Sequence, residues 1–237
     1  MSNAQLVPTT IEISDTAASL PIIDMSGLRS SNIDVRAKVG RQIGAACRDK
    51  GFFYVTGHEI SSALQQRVID QAAKLFALPP EEKAKVDKSL SQANRGYEPL
   101  RNQVLEAGAP ADVKEGFYIG QDKPLDHPDV LNGKFNQGPN LWPEALPEFR
   151  ATMEQYQREL EGVAQLLMQG VALSLGLPEQ HFASFCHDAM TTLRLLHYPP
   201  QSPSAAPGEK GCGAHTDWGG LTLLLQDDNS GLQVWDQ

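Results

Sequence analysis

Apolar positions recur along this chain with two different periods, and the change of period divides it. Residues 1–20 are polar and mixed and read as a loose arm. Leu20 to Gly27 (LPIIDMSG) is a short apolar run closed by turn residues, which predicts a strand. Val35, Val39, Ile43 and Cys47 then recur at steps of four, so a helix is expected here, with Ser31 or Asn32 as N-cap and Gly51 as its stop. Phe52-Phe53-Tyr54-Val55 is dense in β-formers and predicts a buried strand. Ser61 or Ser62 caps a second helix whose Leu64, Val68, Ala72 and Phe76 share one face, and Pro79-Pro80-Glu81-Glu82 starts a third. The stretch 87–142 is irregular, with one short strand expected at Glu115 to Gly120. A long amphipathic helix is expected over about 147–175. There Phe149, Met153, Tyr156, Leu160, Val163, Leu167 and Val171 step by three and four until Gly176-Leu177-Pro178. Its Met and aromatic stripe reads as packing.

After residue 188 the period is two. Thr192, Arg194, Leu196 and Tyr198 alternate with Leu193, Leu195 and His197 until Pro199-Pro200. Leu221 to Gln226, the turn Asp227 to Gly231, and Leu232 to Trp235 together predict a β-hairpin. Helices first and strands later make the fold class α+β, and no internal repeat is present.

Composition narrows the function. The chain has 237 residues, 41% of them hydrophobic and 21% charged, so disorder is excluded and one good-sized domain or two small ones are expected. Its net charge of −9, with basic residues scattered, disfavours nucleic acid as a partner. No apolar run approaches membrane-spanning length, the N-terminus has no secretory pattern, and the 3 cysteines make no disulfide framework. A cytoplasmic protein is expected. Gly-x-Gly-x-x-Gly and P-loop patterns are absent, so nucleotide cofactors have no foothold.

The best chemical constellation is His215-Thr216-Asp217. On a strand, positions i and i+2 share a face, so an imidazole and a carboxylate converge as two legs of a 2-His-1-carboxylate iron site would. His-x-Asp alone is weak, because His127-Pro128-Asp129 repeats it in an irregular stretch where His127 reads as a turn residue. Cys212-Gly213-Ala214-His215 has a zinc-like spacing without a second pair nearby. Cys186-His187 reads as core, His58 as a structural turn residue, and Asp227-Asp228 as solvated turn carboxylates.

Several segments in order then resemble one family. They are Leu193 to Pro200 (LRLLHYPP), Gly213 to Gln226 (GAHTDWGGLTLLLQ) and Gly231 to Val234 (GLQV), with Pro21 to Asp24, Gly51 to His58 and Arg95-Gly96-Tyr97 upstream. Together they are similar to the isopenicillin N synthase-like branch of the Fe(II)/2-oxoglutarate dioxygenases, over nearly the whole chain. The resemblance implies a helical N-terminal region (1–188) packed on a double-stranded β-helix, or jelly roll, that begins at 189–237. It makes His215 and Asp217 iron ligands and puts Tyr198 where the family's tyrosine hydrogen-bonds the distal carboxylate of 2-oxoglutarate. Leu196 stands where many plant members carry asparagine. The implied cofactors are Fe(II), 2-oxoglutarate and O2, and the implied reaction is oxidation of a small organic molecule (hydroxylation, desaturation or ring closure) with release of succinate and CO2. Loops near the mouth would set the substrate. Arg95, Arg101 and Phe117 are candidates there, although surface or packing roles suit them better.

The chain departs from the family pattern at one point. The family's third ligand, a histidine, lies several dozen residues beyond the Asp, and its Arg-x-Ser clamp lies later still. Here His215 is the last histidine and Arg194 the last arginine. The jelly roll is therefore expected to be incomplete in this chain, as in a fragment. Two alternatives stay open: an inactive fragment acting as an interaction module, and an iron oxidase of the same branch that uses no 2-oxoglutarate.

Overall fold

The computed structural model describes residues 20–104, 108, 110–201, 203–205, 208–229 and 231–234. The expected N-terminal arm, almost all of it, and Trp235 lie outside the described residues. Strands β1 (Ile22–Asp24) and β2 (Tyr54–Thr56) pair in parallel, Ile23 opposite Val55, and helix α1 (Ile33–Asp49) links them. Asn32 caps α1 by accepting from the Asp34 N–H at 2.9 Å. Gly51, at φ +72°, ends it with its N–H on the Ala46 carbonyl at 3.0 Å. Val39 and Ile43 are buried as expected, whereas Val35 and Cys47 are exposed or at the rim. A step of four overshoots each turn by about 40°, which carries the two ends of such a row off the core face. The expected buried strand at 52–55 is only half-buried. Phe53 and Val55 pack inward, but Phe52 and Tyr54 are 45% and 58% exposed, because a two-stranded pair leaves its other face uncovered.

Helix α2 (Ser62–Phe76) is capped by Ser61 and buries Leu64, Val68, Leu75 and Phe76. Helix α3 (Pro80–Ala84) opens on proline with Glu81 and Glu82 in its first turn, as read from the sequence. In the irregular stretch, β3 (Gly96–Glu98) and β4 (Glu115–Gly120) pair antiparallel, and β5 (Thr192–His197) lies on the other side of β4. Helix α4 (Pro128–Leu131) is a single turn. Helix α5 (Phe149–Ser174) is the long helix, and α6 (Ala183–Cys186) follows it.

The core lies between α5, α1, α2 and one face of the β3-β4-β5 sheet. Tyr97, Phe117, Ile119 and Leu195 point to that face, and Phe117 meets Phe149 of α5 edge-on with centroids 5.4 Å apart. Glycines set the closeness of α1 to α5. A Cβ on Gly40 would stand 2.9 Å from Leu173 Cβ and 3.1 Å from the Gly170 carbonyl oxygen, so only a residue without a side chain permits this approach.

The hairpin expected at the end of the chain is not formed among the described residues. Residues 221–226 and 232–234 carry no strand ladder. The inward/outward alternation survives, with Leu221, Leu223 and Leu225 partly buried against the core and Thr222 and Leu224 exposed. The backbone has the side-chain period of a strand but no neighbouring strand to exchange hydrogen bonds with. The fold class is α+β. Among the described residues no helix is long and apolar enough to cross a membrane.

Candidate functional site

The site-bearing segment, 208–217, leans on the start of β4 and the end of β5. The Val113 N–H donates to the Lys210 carbonyl at 2.9 Å, and the buried Gly213 N–H donates to Asp112 Oδ1 at 3.0 Å. Asp112 Oδ2 in turn holds Lys114 Nζ at 2.6 Å, in an ion pair whose side chains are each only 3% exposed. Lys114 Nζ also reaches Cys212 Sγ at 3.1 Å. Charges at this depth are rare unless paired, and each partner here is satisfied by the other.

His215 and Asp217 come together. His215 Nε2 is 3.6 Å from Asp217 Oδ1, with the side chains 38% and 51% exposed. The approach does not come from a strand, as the spacing had suggested, since neither residue lies in one. It comes from the ring's other nitrogen: Nδ1 is 2.8 Å from the Gly213 carbonyl oxygen, which can only accept, so Nδ1 carries the proton. In the neutral ring Nε2 then has its lone pair on the side of the carboxylate. A metal-ligating imidazole requires this tautomer and this kind of backbone support. The donor set therefore suits a hard-to-borderline divalent cation such as ferrous iron, as far as two ligands go. Among the described residues no group of three His, Cys, Asp or Glu stands close enough to hold a metal ion.

Tyr198, just past β5, is 46% exposed and lays its ring against Gly211, where a Cβ would sit 3.0 Å from Tyr198 Cδ1. Loss of water around the hydroxyl, and next the proximity of Cys212, push its pKa up to about 12, so the phenol stays protonated as a donor. It follows Arg194 and Leu196 at steps of two, one residue past the end of β5.

The zinc-like Cys212/His215 spacing does not make a site. Cys212 Sγ is 3.8 Å from His215 Nδ1, which is occupied by Gly213, and an ammonium rather than a further ligand faces the sulfur. His127 is a turn residue: its Nδ1 accepts from the Asp129 N–H at 3.1 Å and caps α4. His58 does the same for the Ile60 N–H at 3.1 Å. Asp227 accepts from the Asn229 N–H at 3.0 Å as a turn carboxylate. Phe117 is core, and Arg95 is a buried strut that donates to the carbonyls of Ala93 and Asn136, both at 2.7 Å. Arg101 pairs with Glu209 at 2.9 Å. Cys186 and His187 line a groove of about 230 Å³ beside α5, and a second groove of about 590 Å³ lies near His58 and Gly162. Neither groove shares a lining residue with the His215–Asp217 pair.

Sequence reasoning missed two buried carboxylates. Glu115 accepts from Tyr97 Oη, from Lys83 Nζ at 3.0 Å and from His197 Nδ1 at 2.7 Å, and His197 stacks on Phe76. On the opposite sheet face Glu98 accepts from Tyr118 Oη at 2.8 Å and Lys88 Nζ at 3.1 Å, with Arg194 at 3.4 Å. Burial pushes both carboxyls up, but these hydrogen bonds and charges outweigh it and hold them below the usual glutamate range. The available signal was a charged residue inside or at the edge of a β-forming run, which must find a partner if the run is buried.

Known proteins resemble this chain over most of its length. Residues 20–145 match the family model described as non-haem dioxygenase in morphine synthesis N-terminal. The chain is 44% identical over 220 residues to the 2-oxoglutarate-Fe(II) type oxidoreductase hxnY of Emericella nidulans, covering 91% of this chain and 63% of that protein. It is also 44% identical over 225 residues to the 2-oxoglutarate-dependent dioxygenase citB of Monascus ruber, covering 92% and 68%. Among solved structures it resembles a full-length Neurospora crassa protein crystallised in complex with alpha-KG, with a TM-score of 0.71 and 28% identity over 87% of this chain and 64% of that one. The chain thus spans somewhat under two thirds of the length of the first of these relatives.

Proposed function

The chain belongs to the Fe(II)/2-oxoglutarate-dependent dioxygenase superfamily, and from that premise we propose that it supplies two of the three protein ligands of a non-haem iron oxygenase acting on a small organic molecule. His215, through Nε2, and Asp217 are those ligands, and no histidine follows Asp217 in these 237 residues to serve as the family's third. Residues 1–188 form the N-terminal region, and 189–237 begin a double-stranded β-helix left incomplete here, in which the alternating Leu221, Leu223 and Leu225 belong to a strand. When bound, the iron with O2 and 2-oxoglutarate supplies the oxidising chemistry, which yields succinate, CO2 and a hydroxylated, desaturated or cyclised product. The chain's own residues bind and orient. The Gly213 carbonyl keeps the His215 proton on Nδ1, and Asp217 contributes the negative charge that a divalent cation needs. Tyr198, protonated across the working pH range, donates to the distal carboxylate of 2-oxoglutarate. Leu196, two residues before it, offers no polar contact and helps to keep water out.

One observation carries this reading: the Nδ1–H bond to Gly213 that leaves Nε2 free 3.6 Å from Asp217. The test is an anaerobic titration of the chain with Fe(II) and 2-oxoglutarate, followed by visible charge-transfer absorption. The expected result is a band that Asp217→Ala abolishes, with 2-oxoglutarate binding weakened about tenfold by Tyr198→Phe, the worth of one hydrogen bond. A band that survives Asp217→Ala overturns the ligand assignment. No band in the parent chain overturns iron binding by these 237 residues alone and leaves a binding module.

A further inference from the structure

We propose that Asp112 is the residue that positions the iron-site loop, acting through Gly213 on His215. The inference rests on the reading of His215 as a ligand, and it concerns a residue more than a hundred positions away in the chain. Gly213 is the natural weak point of the loop, since a glycine between two functional peptides swings freely unless something holds it. It is held on both sides. Its N–H is fixed by Asp112 Oδ1 at 3.0 Å, and its carbonyl receives the His215 Nδ1 proton at 2.8 Å.

Asp112 is itself immobile. Lys114 grips its other oxygen at 2.6 Å, both side chains are 3% exposed, and the same ammonium touches Cys212 Sγ at 3.1 Å. The adjoining Val113 N–H ties the loop again, at the Lys210 carbonyl. A buried pair of this kind adds little net stability over an apolar pair of the same size, so its geometry is its more telling product. That product is a rigid acceptor aimed at one backbone N–H, two residues before the imidazole. With Gly213 fixed, its carbonyl stands where it selects the Nδ1–H tautomer and turns Nε2 toward Asp217. Released from it, His215 is expected to fall back to the Nε2–H form that free imidazole prefers, which places a proton where the metal must bind.

The test reads the ring nitrogens of His215 by 15N NMR in the metal-free chain at about pH 8, where an ordinary imidazole is neutral. A parallel Fe(II) titration is read by calorimetry. The parent should show the Nδ1–H form. The double variant Asp112→Ala/Lys114→Met removes the acceptor without stranding a buried charge. It should switch His215 to Nε2–H and weaken Fe(II) binding by about ten- to a hundredfold, the range for outer-shell partners. Asp112→Asn/Lys114→Met keeps an oxygen for the Gly213 N–H and strands no buried charge, and it should retain the Nδ1–H form and affinity within about threefold of the parent. An Asp112→Ala/Lys114→Met chain that keeps the Nδ1–H form overturns the proposal, and so does an Asp112→Asn/Lys114→Met chain that loses it, a result that needs only the near-isosteric variant to fold. The nitrogen signals judge the positioning without any metal and the iron titration judges the ligand reading, so either can fail alone.

Discussion

The β3-β4-β5 sheet and residues 221–225 alternate inward and outward side chains in much the same way, yet the sheet and the segment from 208 to 229 that holds those residues keep their places by different means. In the sheet every strand has a hydrogen-bonded neighbour, one face is sealed by α5, and the buried carboxylates Glu98 and Glu115 are each met by several donors. The segment has no ladder, and its Trp218 is 92% exposed. It is fastened by the Asp112, Val113 and Lys114 bonds, by the Tyr198 ring against Gly211, and by three leucines laid on the core. The order of the sheet is overdetermined, and that of the segment is borrowed. The candidate ligands sit on the borrowed part, where a few polar contacts decide which atom faces which.

The sharpest way to break this contrast is to cut into the shared core. Phe117→Ala removes a fully buried ring that touches Phe149, and it should cost about 3–5 kcal/mol in urea unfolding. A loss under about 1 kcal/mol would mean that the sheet is not the rigid partner.

Acid is the milder probe. Glu98 and Glu115 titrate below the ordinary glutamate value of 4.5 in the folded chain, and Asp129, bonded to Lys123 and Lys134, near 2. A carboxylate whose folded pKa is depressed stabilises fully above its unfolded pKa and loses that contribution as the pH falls through the folded value. The melting temperature should therefore hold from neutrality to about 4.5 and fall between there and about 2. A flat profile across that window would show the carboxylate networks to be energetically idle.

The smallest effect sharpens the contrast from the other side. Trp218→Ala deletes the most exposed large side chain of the segment, and it should change stability by no more than about 0.5 kcal/mol. A larger loss in the same unfolding experiment would place the segment within the cooperative core.

Much of the scaffold was legible in advance. The rows on α1, α2 and α5, the caps at Asn32 and Ser61, and the strands β4 and β5 follow from periods of 3.6 and 2 with their stop residues. Three-residue β3, with glycine at its head, was too short to carry a period. The hairpin after residue 220 failed for the opposite reason: the period is present, but a ladder also needs a partner strand, and none is near it among the described residues. His215 and Asp217 stood out by spacing but took their expected role, as Tyr198 did, from a family resemblance, because His-x-Asp by itself also picks out His127, a helix cap.

The sequence by itself determined where the chain turns helical, which faces are apolar and which few residues could meet a metal ion, since these depend on covalent geometry acting over a few neighbours. Only the tertiary structure decided how those residues are held. Asp112 reaches Gly213 across 101 positions, Lys114 reaches Cys212 across 98, and Glu115 gathers Lys83 and His197 from 32 and 82 away. Contacts of that span form only after the core has closed the intervening loops. The proton on His215 then follows from a backbone carbonyl, whose position no pattern of side chains along the chain encodes.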